Sequence, residues 1–183
     1  MARYQAGLRT EARIVDATRS LLSEGGLEAA TLAAICDRAD VKAGSFYNLF
    51  DSKEAVVLRV VREAIEAIDP DPDAAGTDTV DDLVNAYVRF FEEDSELARV
   101  YVLTALQIEG GKDAGIRFLR HHQRRVERFA AAMSRGDTSL TDAEATIQAE
   151  LLLGALDGLA FRWSLDTMFA FADFAARAAK AFS

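Results

Sequence analysis

Both prolines of this 183-residue chain fall in one pentapeptide, DPDPD, at residues 69–73. Proline lacks a backbone N–H and clashes with the preceding turn, so it ends helices. The sequence on either side is proline-free and rich in Ala and Leu, the residues that favour helix. The chain is therefore expected to be all-α, with the acidic stretch 69–78 as its main break. Half of its residues are hydrophobic, enough for a sizeable core in one large domain or two small ones. No apolar run approaches the roughly 18 residues of a membrane span. The start, MARYQAGLRTEAR, lacks the apolar centre of a signal peptide, which predicts a cytoplasmic protein without a membrane partner. The single cysteine, Cys36, excludes an internal disulfide.

The net charge of −9 argues weakly against a nucleic-acid partner, but its distribution is uneven. Residues 1–53 hold seven Lys/Arg and seven Asp/Glu, whereas residues 54–183 hold fourteen and twenty-three. Within the neutral part, residues 1–23 carry four arginines against two acids. A polyanion therefore fits only the N-terminal piece.

Apolar spacing divides the chain into about nine helices. Ile14, Ala17, Leu21 and Leu22 share one face of a first helix that Gly25-Gly26 should stop. Thr31 is a good N-cap for a short second helix on Leu32, Ile35, Cys36 and Ala39. The turn ADVKAG leads to a third short helix in GSFYNLF. Asp51 and Glu54 have capping-box spacing for a fourth, running on Val57, Val60, Val61, Ala64 and Ile68. Thr79 opens a fifth. A sixth covers 95–109, ended by Gly110-Gly111, and a seventh 113–135. Thr141 with Glu144 caps an eighth, to about Trp163, and a ninth fills the remainder.

Two short helices joined by a tight turn, with a third ahead of them, form a helix-turn-helix pattern. Its second helix ordinarily lies in the DNA major groove. Phe46 and Phe50 are four apart and should anchor that helix. Lys42, Ala43, Ser45, Tyr47 and Asn48 then point outward, offering the amine, hydroxyl, phenol and amide that base edges and phosphates require. Gly44 leaves room for a close backbone approach. Thr31 and Lys53, each at a helix start, suit phosphate oxygens. The competing reading of residues 42–48 is a merely solvated short helix.

RIVDATRSLLSEGGLEAATL followed by ADVKAGSFYNLFDSKEAV resembles the tetracycline-repressor (TetR) family of bacterial transcription regulators. The remainder resembles that family in length and helix count, and LLGALDGLAFRW (152–163) looks like its penultimate helix. The resemblance implies a three-helix DNA-binding domain at 1–53 and a helical effector-binding and dimerisation domain at 54–183. It also implies a homodimer on a palindromic double-stranded operator, and a small-molecule effector that releases a repressor. It places Thr31, Tyr47 and Lys53 on phosphates and residues 42–48 on bases. Two positions depart from the family. Asp40 stands where glycine is common, and Ala43 where a cation is frequent. Both changes predict weaker, more salt-sensitive binding.

On a helical wheel the seventh helix puts Phe118, Leu119, Val126, Phe129 and Met133 on one arc, with His122 in its middle. Arg117, Arg120, His121, Arg124 and Arg128 take the other side, as a basic surface for DNA or simply a solvated face. His122 reads either as a core histidine or as the polar anchor of an effector cavity. Tyr87, Phe90 and Phe91 of the fifth helix, Tyr101, Thr104 and Gln107 of the sixth, and Phe118 and Val126 of the seventh would line that cavity. The eighth helix has two apolar faces. Ile147, Leu151, Gly154, Gly158 and Phe161 form one; Leu152, Leu156, Leu159, Ala160 and Trp163 form the other. The first is the expected dimer seam, joined by Phe171 and Ala175 of the ninth helix.

Catalysis has little to stand on. The only histidines are adjacent, no Ser-His-Asp set is suggested by spacing, and no metal or cofactor motif is present. A non-enzymatic regulator is the main expectation. A helical adaptor that has lost DNA binding, or an all-α enzyme, are the competing classes.

Overall fold

The computed structural model describes residues 2–68, 76–107 and 113–182, without the side chains of residues 2–6, 68, 107, 113, 114 and 117. Among the described residues the chain is built of nine helices and no strand. They are α1 (Ala2–Ala29), α2 (Leu32–Arg38), α3 (Ala43–Tyr47), α4 (Lys53–Ile68), α5 (Val80–Glu93), α6 (Ser95–Gln107), α7 (Asp113–Gly136), α8 (Asp142–Leu165) and α9 (Phe171–Phe182). The proline-containing break and the Gly110-Gly111 stop lie outside the described residues.

Local chemistry explains most of the boundaries. α1 starts earlier than its apolar face suggested, at Ala2, and is broken at Gly25 and Gly26. Gly26 has φ 66 and ψ −156, a conformation open only to glycine. A Cβ on Gly25 would lie 2.9 Å from that of Ala29. Thr31 caps α2 by accepting the Ala34 N–H at 3.1 Å. Thr79 with Asp82, and Thr141 with Glu144, form complete capping boxes at α5 and α8. The start of α4 differs from expectation. The Asp51–Glu54 box does not form, and the hydroxyl of Ser52 accepts the Ala55 N–H at 3.2 Å instead. Ser52 immediately precedes the first helical residue and so holds the N-cap position, whereas Asp51 stands one residue too early.

Contacts divide the chain into two compact units. One comprises the described residues of Met1–Ala64 and Glu96–Glu109, the other those of Ile65–Ser95 and Gly110–Ser183. The division falls inside α4. In the first unit Ile14, Leu22, Ile35, Phe46, Val56, Val60 and Val61 are almost completely buried. α6 belongs to this unit: Ser20 donates to Glu96 at 2.7 Å, and the Arg99 guanidinium donates to the Ser23 carbonyl at 3.2 Å. In the second unit α7, α8, α5 and α9 pack around Tyr87, Phe91, Leu152, Leu156, Trp163 and Phe171. The rings of Phe91 and Trp163 meet edge to face at 4.9 Å, and those of Phe91 and Phe171 at 4.6 Å.

Candidate functional site

The α2–turn–α3 segment holds most of the polar groups singled out from sequence. Phe46 is wholly buried and packs against Phe50, ring centres 5.7 Å apart, which fixes the rotation of α3. That rotation exposes Lys42, Ala43, Gly44, Ser45, Tyr47 and Asn48 together. Tyr47 is 55% exposed, its ring set edge-on to that of Phe46 with centres 5.6 Å apart. A Cβ on Gly44 would meet nothing within 4 Å, so packing inside the protein does not demand glycine there. The turn is closed by Asp40, the one non-glycine with positive φ (49) among the described residues. Aspartate tolerates that region better than most residues do.

The flanking positions suit anions. Thr31 is exposed, and its hydroxyl oxygen is occupied by the Ala34 N–H. Its own hydrogen is still available to donate outward. Lys53 is the first residue of α4, half-buried at its stem. Arg38, in contrast, is committed: its guanidinium grips Glu24 through two oxygens, the second at 2.9 Å. That grip holds the Glu24 carboxyl below the usual carboxylate range. Burial pushes the Cys36 thiol up, so it stays protonated and packs as a small apolar group.

Residues 14–60 match the model of the tetR family of bacterial regulatory proteins. Over 63 residues the chain is 40% identical to the transcriptional repressor KstR of Mycolicibacterium smegmatis, a span of 34% of this chain and 31% of that protein. The likeness to the TetR family lies in this N-terminal third. The match spans about a third of the length of the curated relatives. Two solved structures cover nearly the whole chain. The MbdR regulator of Azoarcus sp. CIB gives a TM-score of 0.74 at 18% identity, covering 94% of this chain and 96% of its own. The TetR family regulator PfmR of Thermus thermophilus gives 0.72 at 17%, covering 93% and 96%. At such identities the likeness is one of fold.

Outside the helix-turn-helix segment, the residues expected to hold an effector are only partly where the wheel put them. In the second unit Tyr87, Phe90, Phe91 and Val126 are buried and Phe118 is half-buried. In the first unit Tyr101 and Thr104 are buried, and the side chain of Gln107 lies outside the described residues. His122 does not sit in a buried arc. Its side chain is 39% exposed and its Nε2 lies 2.9 Å from Glu150 on α8. His121 is the buried imidazole, at 1%. Arg125, one turn on, is buried as well. Its guanidinium lies 4.7 Å from the centre of the Tyr87 ring and 3.4 Å from Asp157, which also accepts the Tyr87 hydroxyl at 3.0 Å. Arg128 is not on a solvated face either, since it pairs with the buried Asp78 at 2.7 Å.

The wheel failed because it sorted residues by type. The inner stripe runs 121, 125, 129, 132, a spacing of four, four and three, and two of its members are polar, Arg125 being paired with Asp157 on α8. Arg125 and Asp157 are functional candidates that sequence reasoning missed. A cavity of about 560 Å³ opens beside Phe91, Trp163 and Phe171, and one of about 820 Å³ at the α5 start beside Val80, Met133 and Leu151. Among the described residues no cluster of three His, Cys, Asp or Glu side chains converges to hold a metal.

The two faces of α8 separate as expected. Leu152, Leu156, Ala160 and Trp163 are buried, while Ile147, Leu151 and Phe161 are open, at 60%, 55% and 44% exposure. Gly154 and Gly158 lie on the open face, with free space where a Cβ would stand. With Leu165 added, the open positions run 147, 151, 154, 158, 161, 165, a four-three repeat that suits helix-on-helix packing. On α9 the assignment reverses. Phe171 and Ala175 face inward, 5% and 0% exposed, held by Phe91 and its neighbours. The outward apolar residue is Phe174.

Proposed function

We propose that the chain is a DNA-binding transcriptional repressor that acts as a homodimer on a palindromic operator and is released by a small, largely apolar molecule. One observation carries this reading: the simultaneous exposure of Lys42, Ser45, Tyr47 and Asn48 on α3, framed by Thr31 and Lys53 at helix starts, in the segment related to KstR. Phosphate contacts from Thr31, Tyr47 and Lys53 set the register, and residues 42–48 read bases. Functionally, residues 1–53 form the reading head and 54–183 the effector and dimer part. The chain works in the cytoplasm, bound to the nucleoid, without catalysis of its own. Among the described residues no helix is long and apolar enough to cross a membrane.

The effector reading is supported by apolar walls at Tyr87, Phe90, Phe91 and Val126 around the Tyr87–Arg125–Asp157 polar group, a few convergent polar atoms in an apolar setting. α4 runs without interruption from Lys53 to Ile68, so an effector that displaces its far end moves a phosphate contact. Such couplings are about 1–3 kcal/mol, or roughly 5–150-fold in operator affinity.

Selection of genomic fragments by the purified chain tests the reading, and should enrich one palindromic sequence. On that sequence Tyr47→Ala should weaken binding with little change in salt dependence, while Lys53→Ala should reduce the salt slope by about one unit. Unchanged binding in both variants would remove the proposed docking, and capture of a protein in place of DNA would make the chain an adaptor.

A further inference from the structure

The helix-turn-helix segment carries no net charge. Between Thr31 and Lys53 stand Arg38, Lys42 and Lys53 against Asp37, Asp40 and Asp51. Arg38 is moreover bound to Glu24. Phosphate neutralisation supplies essentially all of a protein's sequence-independent attraction to DNA. A segment in which two cations face three acids cannot supply it, so the attraction must come from an adjoining surface.

α1 has that surface. Of its other charged groups, Arg19 pairs with Glu63 of α4 at 3.0 Å, Glu11 approaches Arg59 of α4 at 3.7 Å, and Glu24 holds Arg38 of α2. Arg9 and Arg13 are exposed and stand one turn apart on one face, with Asp16 a turn further along, away from Arg9. Arg13 also reports where that face lies. Its guanidinium donates to the Asp40 carbonyl at 3.3 Å and stands 4.0 Å from the Asp40 carboxylate. Asp40 closes the turn two residues before Lys42, the N-cap of α3. The Arg9–Arg13 strip therefore borders the reading helix. It lies N-terminal to residues 14–60, the segment that matches the family model.

We propose that Arg9 and Arg13 form a phosphate-binding strip continuous with the α3 reading face, and that Asp40 competes with the DNA backbone for Arg13. The proposal rests on the DNA-binding reading above. The geometry fits a competition. The Asp40 side chain is 99% exposed and Arg13 is 51% exposed, so their contact is a loose surface pair. Such pairs contribute little and are easily exchanged. A DNA phosphate offers the same guanidinium two acceptor oxygens in bidentate geometry, set among neighbouring phosphates of the same sign. Asp40 thus lowers affinity for every sequence alike, and leaves discrimination to the polar groups of α3.

The test uses the full chain and a labelled mixed-sequence duplex of about three helical turns, followed by fluorescence anisotropy over a salt series. Because phosphate contacts are blind to sequence, no operator is needed. Arg9→Gln and Arg13→Gln should each reduce the slope of log affinity against log salt by about one unit. Asp40→Asn keeps a residue that tolerates positive φ. It should tighten binding roughly two- to five-fold, and that gain should vanish in the Arg13→Gln background. An equal gain in both backgrounds would overturn the competition, leaving Asp40 as a plain repulsive charge. Lys53→Gln serves as reference. A slope lowered by Lys53→Gln but untouched by both arginine variants would overturn the α1 strip while sustaining the DNA-binding reading. No salt-dependent binding by the unaltered chain would overturn both.

Discussion

Leu151→Ala tests the proposed seam on α8 most directly. Leu151 is 55% exposed in the protomer, so about half of its side chain is still available for burial. Full burial of a leucine contributes about 1.5–3 kcal/mol, and the open half therefore about 1–1.5 kcal/mol. A two-fold seam counts every substitution twice. The truncation should weaken the dimer by about 2–3 kcal/mol, or roughly 30- to 150-fold in its dissociation constant. Sedimentation velocity over a dilution series reads that constant. The protomer should melt almost unchanged, since the removed atoms face outward. Leu152→Ala, one residue along on the buried face, should do the reverse: lower the protomer's stability by about 2–5 kcal/mol, since it leaves a cavity. A Leu151→Ala dimer within about threefold of the unaltered one would mean that α8 does not form the seam through this face.

Other outcomes follow from the local chemistry. Thr141→Ala should cost about 1 kcal/mol of stability by removing the cap of α8. The bonds from Thr141 hold the Glu144 carboxyl below its usual range, so they stabilise the fold above that range, and the effect is lost as pH falls through the lowered value. Thermal melts against pH should accordingly lose part of their acid limb in the variant. Asp157→Ala withdraws the acceptor shared by Tyr87 and the buried Arg125, and should cost about 2 kcal/mol in urea denaturation, whereas His122→Phe at its exposed Glu150 pair should cost far less. Gly44→Ala should leave the fold intact or stabilise it by about 0.5–1 kcal/mol, yet weaken DNA binding, because the space it fills is free until DNA arrives. Equal operator affinity in that variant would show that α3 does not approach DNA through Gly44.

What was legible in the sequence was whatever three or four adjacent residues decide. The caps at Thr31, Thr79 and Thr141 follow from one hydroxyl and the N–H groups next to it. The glycine break in α1 follows from a conformation that side chains forbid. The outward set on α3 was legible because a single large anchor, Phe46, fixes the rotation of a five-residue helix. Where two neighbours could each act, as Asp51 and Ser52 could at α4, position decided and composition did not. The buried polar stripe of α7 was illegible for a deeper reason. Arg125 looks like a surface residue until its partner from another helix is in place, and Asp157 lies 32 positions away. α9 presents the same difficulty in apolar form, since Phe171 and Phe174 are alike as residues and the rings of Phe91 and Tyr87 select which one turns inward.

The head and the seam are linked by their weakness. On the proposed reading, a segment with no net charge, helped by the two α1 arginines, would give one head little hold on DNA. Joining two heads makes the second contact intramolecular, at an effective concentration in the millimolar range for a short connection. Affinity for an operator then depends on the dimer more steeply than on any single phosphate contact. Leu151→Ala should therefore leave the head intact and still impair DNA binding, through dissociation alone. At protein concentrations well above the variant's dimer constant, its operator affinity should equal that of the unaltered chain. Below that constant, binding should rise with the square of protein concentration, and a duplex carrying a single half-site should bind both proteins equally. Weaker half-site binding by Leu151→Ala would trace the defect to the head itself and break the link between seam and reading surface.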